Sequence, residues 1–391
     1  MDIDTRIRRR RRRGASQMLV LDYDRINPTA HVAEPIGRGP IVERVLDHLD
    51  PAFDGSLPSD VYVWGPPGSG KSAVLTALFS RLETPATQPQ TAIQTTTRAQ
   101  SVELPQFVYV NGREVDSEFQ LYRRVLDGVT DADAPTRGIS TDELTSRLRS
   151  ALSEPVGTVI AVDHAEEFEF SPAAARSSLA ELDGTLSTVL VGRTPPSDVD
   201  EVGDVAEIEI PGYGQQVLID VLMTRGSSGL AQDALAYDQT RRIAAWAGGN
   251  AHDALAALFS AAVIADDAGV QEIRSDDVAA GIDAVPRDGT SLGVVLALPS
   301  NRQRVLRAFL ELDDDQRFSV TATTEAIADS GWVDLSVGTV KRILYELADA
   351  DVFDRVTAEQ TTGHGRPPSR LEPQFPTLVF RELYDIQADS Q

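Results

Sequence analysis

The sequence predicts an α/β protein built on a parallel sheet, followed by a helical unit and a C-terminal unit of helices closed by a hairpin. Three observations carry this reading. Between residues 36 and 212, short apolar runs alternate with helical periodicity, the pattern of parallel strands joined by crossover helices. The strand-like runs then stop, and from 213 to 288 apolar residues recur only at helical spacing. From 289 to 391, helix-like segments end in a Gly/Pro-rich stretch. A chain of 391 residues suits two to three domains, at roughly 100–200 residues each.

The elements follow in order. Residues 1–35 read as a basic tail and lead-in, with Arg6 and Arg8 through Arg13 as a cationic run and Pro28 and Pro35 as breakers. The run reads either as a solvated tail or as an arm on nucleic-acid phosphates. A secretion signal needs an apolar stretch of about 7–15 residues after such a run, and only Met18-Leu19-Val20-Leu21 follows. No apolar run approaches the ~18 residues of a membrane span, so the expectation is a cytoplasmic chain with no membrane partner. Strands are expected at 61–64, 107–110, 159–162, 188–191 and 208–210. Residues 84–106 are rich in Thr, Gln and Pro and read as a flexible insertion. Helices are expected at 217–223, 243–246, 254–264 and 278–282, then a linker at Pro286, Asp288 and Gly289. The C-terminal unit reads as helices at 301–312, 322–329 and 336–349, then a hairpin.

Composition narrows the chemistry. Cysteine is absent, which excludes disulfides, thiolate catalysis and Cys-ligated zinc. Five scattered histidines suggest no metal cluster. The formal charge is −24, yet 41% of residues are hydrophobic, so this is a folded chain with an acidic coat and not a disordered polyacid. Only Lys71 and Lys341 are lysines among 36 basic residues. The pattern resembles proteins of salt-loving archaea; a genome rich in arginine codons is the alternative. Such a coat argues against indiscriminate nucleic-acid binding at low salt.

One motif is specific. Gly65-Pro66-Pro67-Gly68-Ser69-Gly70-Lys71-Ser72 follows an expected strand and opens an expected helix, the context of a phosphate-binding loop. Glycines let backbone N–H groups form a nest for phosphate oxygens, and the helix N-terminus adds partial positive charge. Lys71 would neutralise the outer phosphates, and Ser72 would hold Mg²⁺. A second acidic element belongs at the end of a neighbouring strand, where Asp163 closes an apolar run; it would complete the Mg²⁺ site with Ser72. His164 follows it, with Glu166 two residues further on as the available water-activating carboxylate.

These motifs resemble the archaeal origin-recognition and cell-division-control family of AAA+ ATPases, over about residues 20–385. The family opens with a basic box before the loop, and Glu34-Pro35-Ile36-Gly37-Arg38-Gly39 stands there. Its Tyr-Val-Asn motif is similar to Tyr109-Val110-Asn111, its Pro-Tyr lid start to Pro211-Gly212-Tyr213, and its lid-helix arginine to Arg225. The resemblance implies an AAA+ sheet, a helical lid and a C-terminal winged helix. It implies ATP or ADP contacts from Arg38, Tyr213, Arg225 and His252 as well as from the loop. The departures lie in hydrolysis. The family's Asp-Glu is Asp163-His164 here, no Asn stands near Arg193 after the fourth strand, the second sensor is Gly249-Asn250-Ala251-His252, and no arginine lies between Arg193 and Arg225. The expectation is nucleotide and Mg²⁺ binding with weak hydrolysis.

In the expected third helix of the winged unit, Val340, Ile343, Leu344 and Leu347 recur at i, i+3, i+4 and i+7 and form the buried stripe. Thr339, Lys341, Arg342 and Tyr345 fall on other faces and suit contacts to phosphates and base edges of double-stranded DNA. In the hairpin, Gly363-His364-Gly365-Arg366 and Arg370 resemble the family's wing tip, with arginine suited to a narrow minor groove. Winged folds also bind proteins, so that reading stays open. Residues 297–391 carry ten basic and sixteen acidic side chains, so DNA binding would depend on short-range fit at high salt. The functional expectation is a replication initiator that recognises origin-like sites, with the replicative helicase or initiator paralogues as partners. The alternatives are an ATP-responsive DNA-binding regulator or plasmid-maintenance factor, and a metabolic kinase.

Overall fold

The computed structural model describes residues 18–83, 104–130, 138–153, 156–164, 166, 171–199, 203, 205–357 and 369–390. The basic run, most of the 84–106 insertion and the wing tip with Arg366 lie outside the described residues. The chain divides into two compact units, one of residues 31–217 with 248–251, the other of residues 1–30, 218–247 and 252–391.

The first unit is a five-stranded sheet of β1 (Val61–Trp64), β2 (Gln106–Asn111), β3 (Thr158–Asp163), β4 (Leu186–Gly192) and β5 (Ala206–Glu209). The strand order is β2-β3-β4-β1-β5, and every pairing is parallel. All six residues of β3 are buried, as parallel strands covered on both faces require. Alternate side chains point to opposite faces. Val61, Val63, Phe107, Val159, Ala161, Val189 and Val191 pack with Val45 and Leu49 of the helix Gly39–Phe53 and Leu75 and Phe79 of the helix Lys71–Leu82. Tyr62, Val108, Ile160, Val162 and Leu190 pack on the other face. Their partners there are Leu121 and Val125 of Glu118–Val129, Leu144 and Leu148 of Thr141–Ala151, and Leu179 of Pro172–Ala180.

Three of the face-covering helices start on a serine cap, with Ser117, Ser140 and Ser171 each accepting a backbone N–H one turn on. The strand order places the carboxyl ends of β1, β3 and β4 side by side. The connections that leave β1 and β4, neighbours in the sheet, run toward opposite edges, and such a switch point is the place where α/β sheets bind ligands.

Among its described residues the second unit is helical apart from one hairpin and a single β-bridge. Its lead-in is docked rather than loose. Leu19, Val20 and Ile26 are buried, Val20 bridges Leu230, and Leu21 N donates to Gly229 O at 2.8 Å. The short apolar run after the basic tail is therefore a packing strip. The helices Tyr237–Ala247, Ala251–Asp267 and Ser275–Asp283 follow the helix Gln215–Gly229. The C-terminal part runs Ser300–Leu310, Asp314–Arg317, Val320–Asp329 and Val337–Asp349, then β6 (Phe353–Thr357) antiparallel to β7 (Ser369–Pro373), then Thr377–Ser390. Apart from the four-residue turn Asp314–Arg317, three helices and a two-stranded wing are the order of a winged helix. Ser319 and Ser336 cap the second and third of these helices.

Leu121 is fully buried beneath the sheet. Leu121→Ala should cost about 2–5 kcal/mol through lost burial and the cavity left behind. Chemical denaturation in molar KCl, comparing midpoints at unchanged slope, checks this.

Candidate nucleotide site and DNA-facing helix

The loop after β1 has the backbone that its glycines permit. Gly68 and Gly70 adopt φ of 65° and 82°, a region costly for residues with a Cβ. Close approach is the second reason for glycine. A Cβ on Gly70 would stand 2.6 Å from Tyr213 Oη, and one on Gly68 would stand 1.8 Å from Asn250 Oδ1. Ala251 N donates to Gly68 O at 3.1 Å, and Tyr213 N donates to Gly249 O at 3.0 Å. The loop, the Pro211-Gly212-Tyr213 segment and Gly249-Asn250-Ala251 thus form one cradle within the first unit.

Two cations line it. Lys71 is buried and donates to Gly65 O at 2.7 Å and Pro66 O at 3.0 Å. Arg38 is buried, donates to Pro211 O at 2.9 Å, and stacks with its guanidinium carbon 3.6 Å from the Tyr213 ring centroid. Arg38 Nε is buried with no hydrogen-bond partner, an unmet donor beside a glycine nest. A polyphosphate fits this donor set.

The metal-binding expectation falls at the end of β3. Asp163 is 1% exposed. Its Oδ2 accepts from Tyr109 Oη at 2.7 Å and its Oδ1 from His164 N at 2.8 Å. Burial pushes the Asp163 carboxyl up. His164, the Ser72 and Tyr109 hydroxyls and Arg113 outweigh it and hold the group below the usual carboxylate range. Burial, with the Asp163 charge, pushes the Tyr109 phenol well above its ordinary value. A hydroxyl and an anionic carboxylate are oxygen donors that fit a hard divalent cation.

His164 has φ 62°, the left-handed region, where a non-glycine residue is uncommon. That turn brings its Nε2 to 3.1 Å from Ser72 Oγ. Glu166 is engaged elsewhere. Its carboxylate accepts from Tyr62 Oη at 2.9 Å, Arg193 N at 2.6 Å and Thr194 N at 3.3 Å. These bonds cap the end of β4. A Cβ on Gly192 would stand 2.4 Å from Glu166 Oε1, so glycine there permits the contact. Burial and the Glu166 carboxylate raise the Tyr62 phenol.

Arg225 and His252 belong to the second unit. Arg225 is buried, and its guanidinium donates to Asn27 O at 2.6 Å and Ala30 O at 3.1 Å. Burial, with Arg25 nearby, lowers its pKa. His252 Nε2 accepts from Leu292 N at 3.4 Å. The sequence reading missed the roles of Tyr109 and Tyr62. The Tyr109-Val110-Asn111 motif was the available signal, since β2 pairs with β3 and sets Asn111 opposite Asp163.

In the third winged helix, Val340, Ile343, Leu344 and Leu347 are buried. Lys341 and Arg342 are exposed, while Thr339 and Tyr345 are half-buried. Lys341 has no ion-pair partner among the described residues. Arg342 pairs with Glu346 at 2.7 Å, Arg370 on β7 donates to Glu372 at 3.0 Å, and Arg355 lies over the Tyr345 ring at 5.3 Å. Exposed pairs of this kind contribute only about 0–1 kcal/mol, so both arginines can exchange a carboxylate for a phosphate at small cost.

The comparisons with known proteins agree with this geometry. Residues 34–191 match the AAA ATPase domain model. The chain is 27% identical to ORC1-type DNA replication protein 1 of Aeropyrum pernix over 297 residues, 71% of each chain. The chain is similar to archaeal ORC1-type DNA replication proteins, and the AAA ATPase match covers its nucleotide-binding part. A haloarchaeal relative, ORC1-type DNA replication protein 3 of Haloarcula marismortui, is 23% identical over 82% of this chain and 84% of its own. Among solved structures, the Aeropyrum pernix ORC1 protein in complex with DNA has a TM-score of 0.60 at 22% identity, covering 96% of this chain and 98% of that one. Cdc6p from Pyrobaculum aerophilum has a TM-score of 0.53 at 19% identity, covering 94% and 99%. These likenesses establish the ORC1/CDC6-type fold.

Tyr109→Phe removes a hydrogen bond to a buried charge and should cost about 1.5–3 kcal/mol at pH 7. Asp163 has its folded-state pKa below the unfolded value of about 3.9, so its contribution is complete above that value and lost as pH falls through the folded one. The stability gap between Tyr109→Phe and wild type should therefore close under acid. Denaturation midpoints measured between pH 7 and pH 3 check this.

Proposed function

We propose that this chain is an ORC1/CDC6-type, ATP-binding replication initiator that recognises origin-like double-stranded DNA and hydrolyses ATP slowly. The observation that carries the nucleotide half is the cradle itself. Gly68, Gly70, Lys71, Arg38 and Tyr213 converge on the carboxyl end of β1, with an unmet donor on Arg38. Mg²⁺ bound between Ser72 and Asp163 would screen the phosphate charge. Lys71 and Arg38 would bind and orient the phosphates, and Asp163 would set the ion in register.

Slow hydrolysis follows from the neighbouring side chains. Water activation needs a free carboxylate close to Ser72 and Asp163, and His164 stands there. Glu166, the other carboxylate expected to work in turnover, acts in this reading as a positioning residue for the end of β4. No arginine lies between Arg193 and Arg225 to serve in trans, a contribution worth ~10³–10⁵ in rate in related NTPases. Arg225 and His252 are proposed to contact nucleotide from the lid side.

The DNA half rests on Lys341 and Arg342 on the exposed face of a serine-capped helix, with Thr339 and Tyr345 beside them and Arg370 at the base of the wing. Relatives named ORC1-type DNA replication proteins and a solved ORC1 structure in complex with DNA support this role. The replicative helicase and initiator paralogues are the proposed protein partners. An acidic coat and haloarchaeal relatives support work in molar salt.

Two single variants separate the sites. In molar KCl, Lys71→Ala should abolish retention of labelled ATP on filters and leave the DNA footprint. Lys341→Ala should weaken DNA binding by roughly tenfold, about the effect of one lost contact of 1–3 kcal/mol, and leave ATP retention intact. Loss of both activities in both variants would contradict two independent sites.

A further inference from the structure

The end of β3 gathers three donor atoms of different chemistry. Ser72 Oγ and Asp163 Oδ2 both stand beside the His164 ring. His164 Nε2 lies 3.1 Å from Ser72 Oγ and 3.5 Å from Asp163 Oδ2. In an octahedral site with metal–ligand bonds of ~2.1 Å, neighbouring ligands stand about 3 Å apart, the bond length times √2. His164 Nε2 therefore stands near the spacing of a neighbouring ligand from both oxygens.

The backbone is arranged to produce this. His164 adopts φ 62°, a conformation that non-glycine residues hold where their surroundings impose it. The turn lets His164 N cap Asp163 Oδ1 at 2.8 Å while the ring folds back over Oδ2 and the Ser72 hydroxyl. An extended residue at 164 would carry its side chain away from the loop. The imidazole is also only 16% exposed, so it faces this spot and not solvent.

We infer that His164 is a protein ligand of the divalent cation that accompanies the nucleotide, its Nε2 joining Ser72 Oγ and Asp163 Oδ2, and that the site consequently favours Mn²⁺ over Mg²⁺. The inference rests on the nucleotide-binding reading above. Mg²⁺ is held by oxygen ligands and sheds water reluctantly. Mn²⁺ accepts carboxylate and water oxygens and lies in the series whose affinity for nitrogen ligands exceeds that of the alkaline earths. With the ring proton on Nδ1, the Nε2 lone pair points at the same place as the two oxygens. A residue that reads from sequence as a defect in hydrolysis becomes an added ligand with a metal preference of its own.

The test uses full-length protein in molar KCl with ATP and Mn²⁺, and pulsed electron paramagnetic resonance to read nitrogen coupling to the bound ion. Wild type should show an imidazole-type ¹⁴N coupling that converts to ¹⁵N on histidine labelling. His164→Asn should lose that coupling while tolerating the left-handed backbone, because asparagine visits it readily. Competition of Mg²⁺ against bound Mn²⁺ should favour Mn²⁺ in wild type, and that preference should fall by about tenfold or more in His164→Asn. ATP-dependent Mn²⁺ binding with no histidine coupling, or with the same preference in the variant, would overturn the inference and leave nucleotide binding standing. No retention of ATP with either ion would overturn both.

Discussion

A buried carboxylate at the end of β3 ties the first unit together. Asp163 lies against a hydroxyl from β2, a hydroxyl from the first turn after the phosphate loop, and the backbone and ring of His164. An anion this deep is costly unless its lone pairs are met. Here the hydrogen bonds also fix distances: they lock β2 to β3 and hold the start of the helix Lys71–Leu82 over the sheet edge. A second carboxylate, Glu166, repeats the device one strand over, joining Tyr62 on β1 to the backbone after β4. The carboxyl ends of β3 and β4 are thus each set by a tyrosine–carboxylate pair.

This arrangement explains how the chain can keep the loop geometry while differing from the family it resembles in the residues of hydrolysis. The cradle depends on glycine geometry, two buried cations and a stacked tyrosine, and none of these uses Glu166, Arg193 or His252. Losing a water-activating carboxylate next to Asp163 costs no packing, because His164 takes the position and bonds to the same hydroxyl. The proposed roles in binding and turnover are separable because they fall on different side chains.

The sheet, its strand positions and the loop were legible in the sequence, because parallel strands buried on both faces read as continuous apolar runs and the loop glycines occur at fixed spacing. The buried stripe Val340, Ile343, Leu344 and Leu347 was equally plain, since helical period alone specifies it. The pairing of Tyr109 with Asp163 was not, because it depends on β2 lying beside β3, a choice that no local pattern records. The left-handed turn at His164 was also invisible, as histidine has no preference that announces it. The docking of Leu19 and Val20 against the helix Gln215–Gly229 was read only as too short for a signal. Net charge described the solvent this surface suits, while Lys71 and Lys341 marked a phosphate cradle and a helix face.

The central claim is that the cradle binds ATP without efficient turnover. Protein loaded with γ-labelled ATP in molar KCl, stripped of free nucleotide and sampled over time, tests it most directly. The account predicts that the bound label stays on ATP while the complex persists, with release as intact ATP the main loss. Rapid conversion to bound ADP and free phosphate, at a rate typical of an enzyme, about 1–10³ per second, would contradict it.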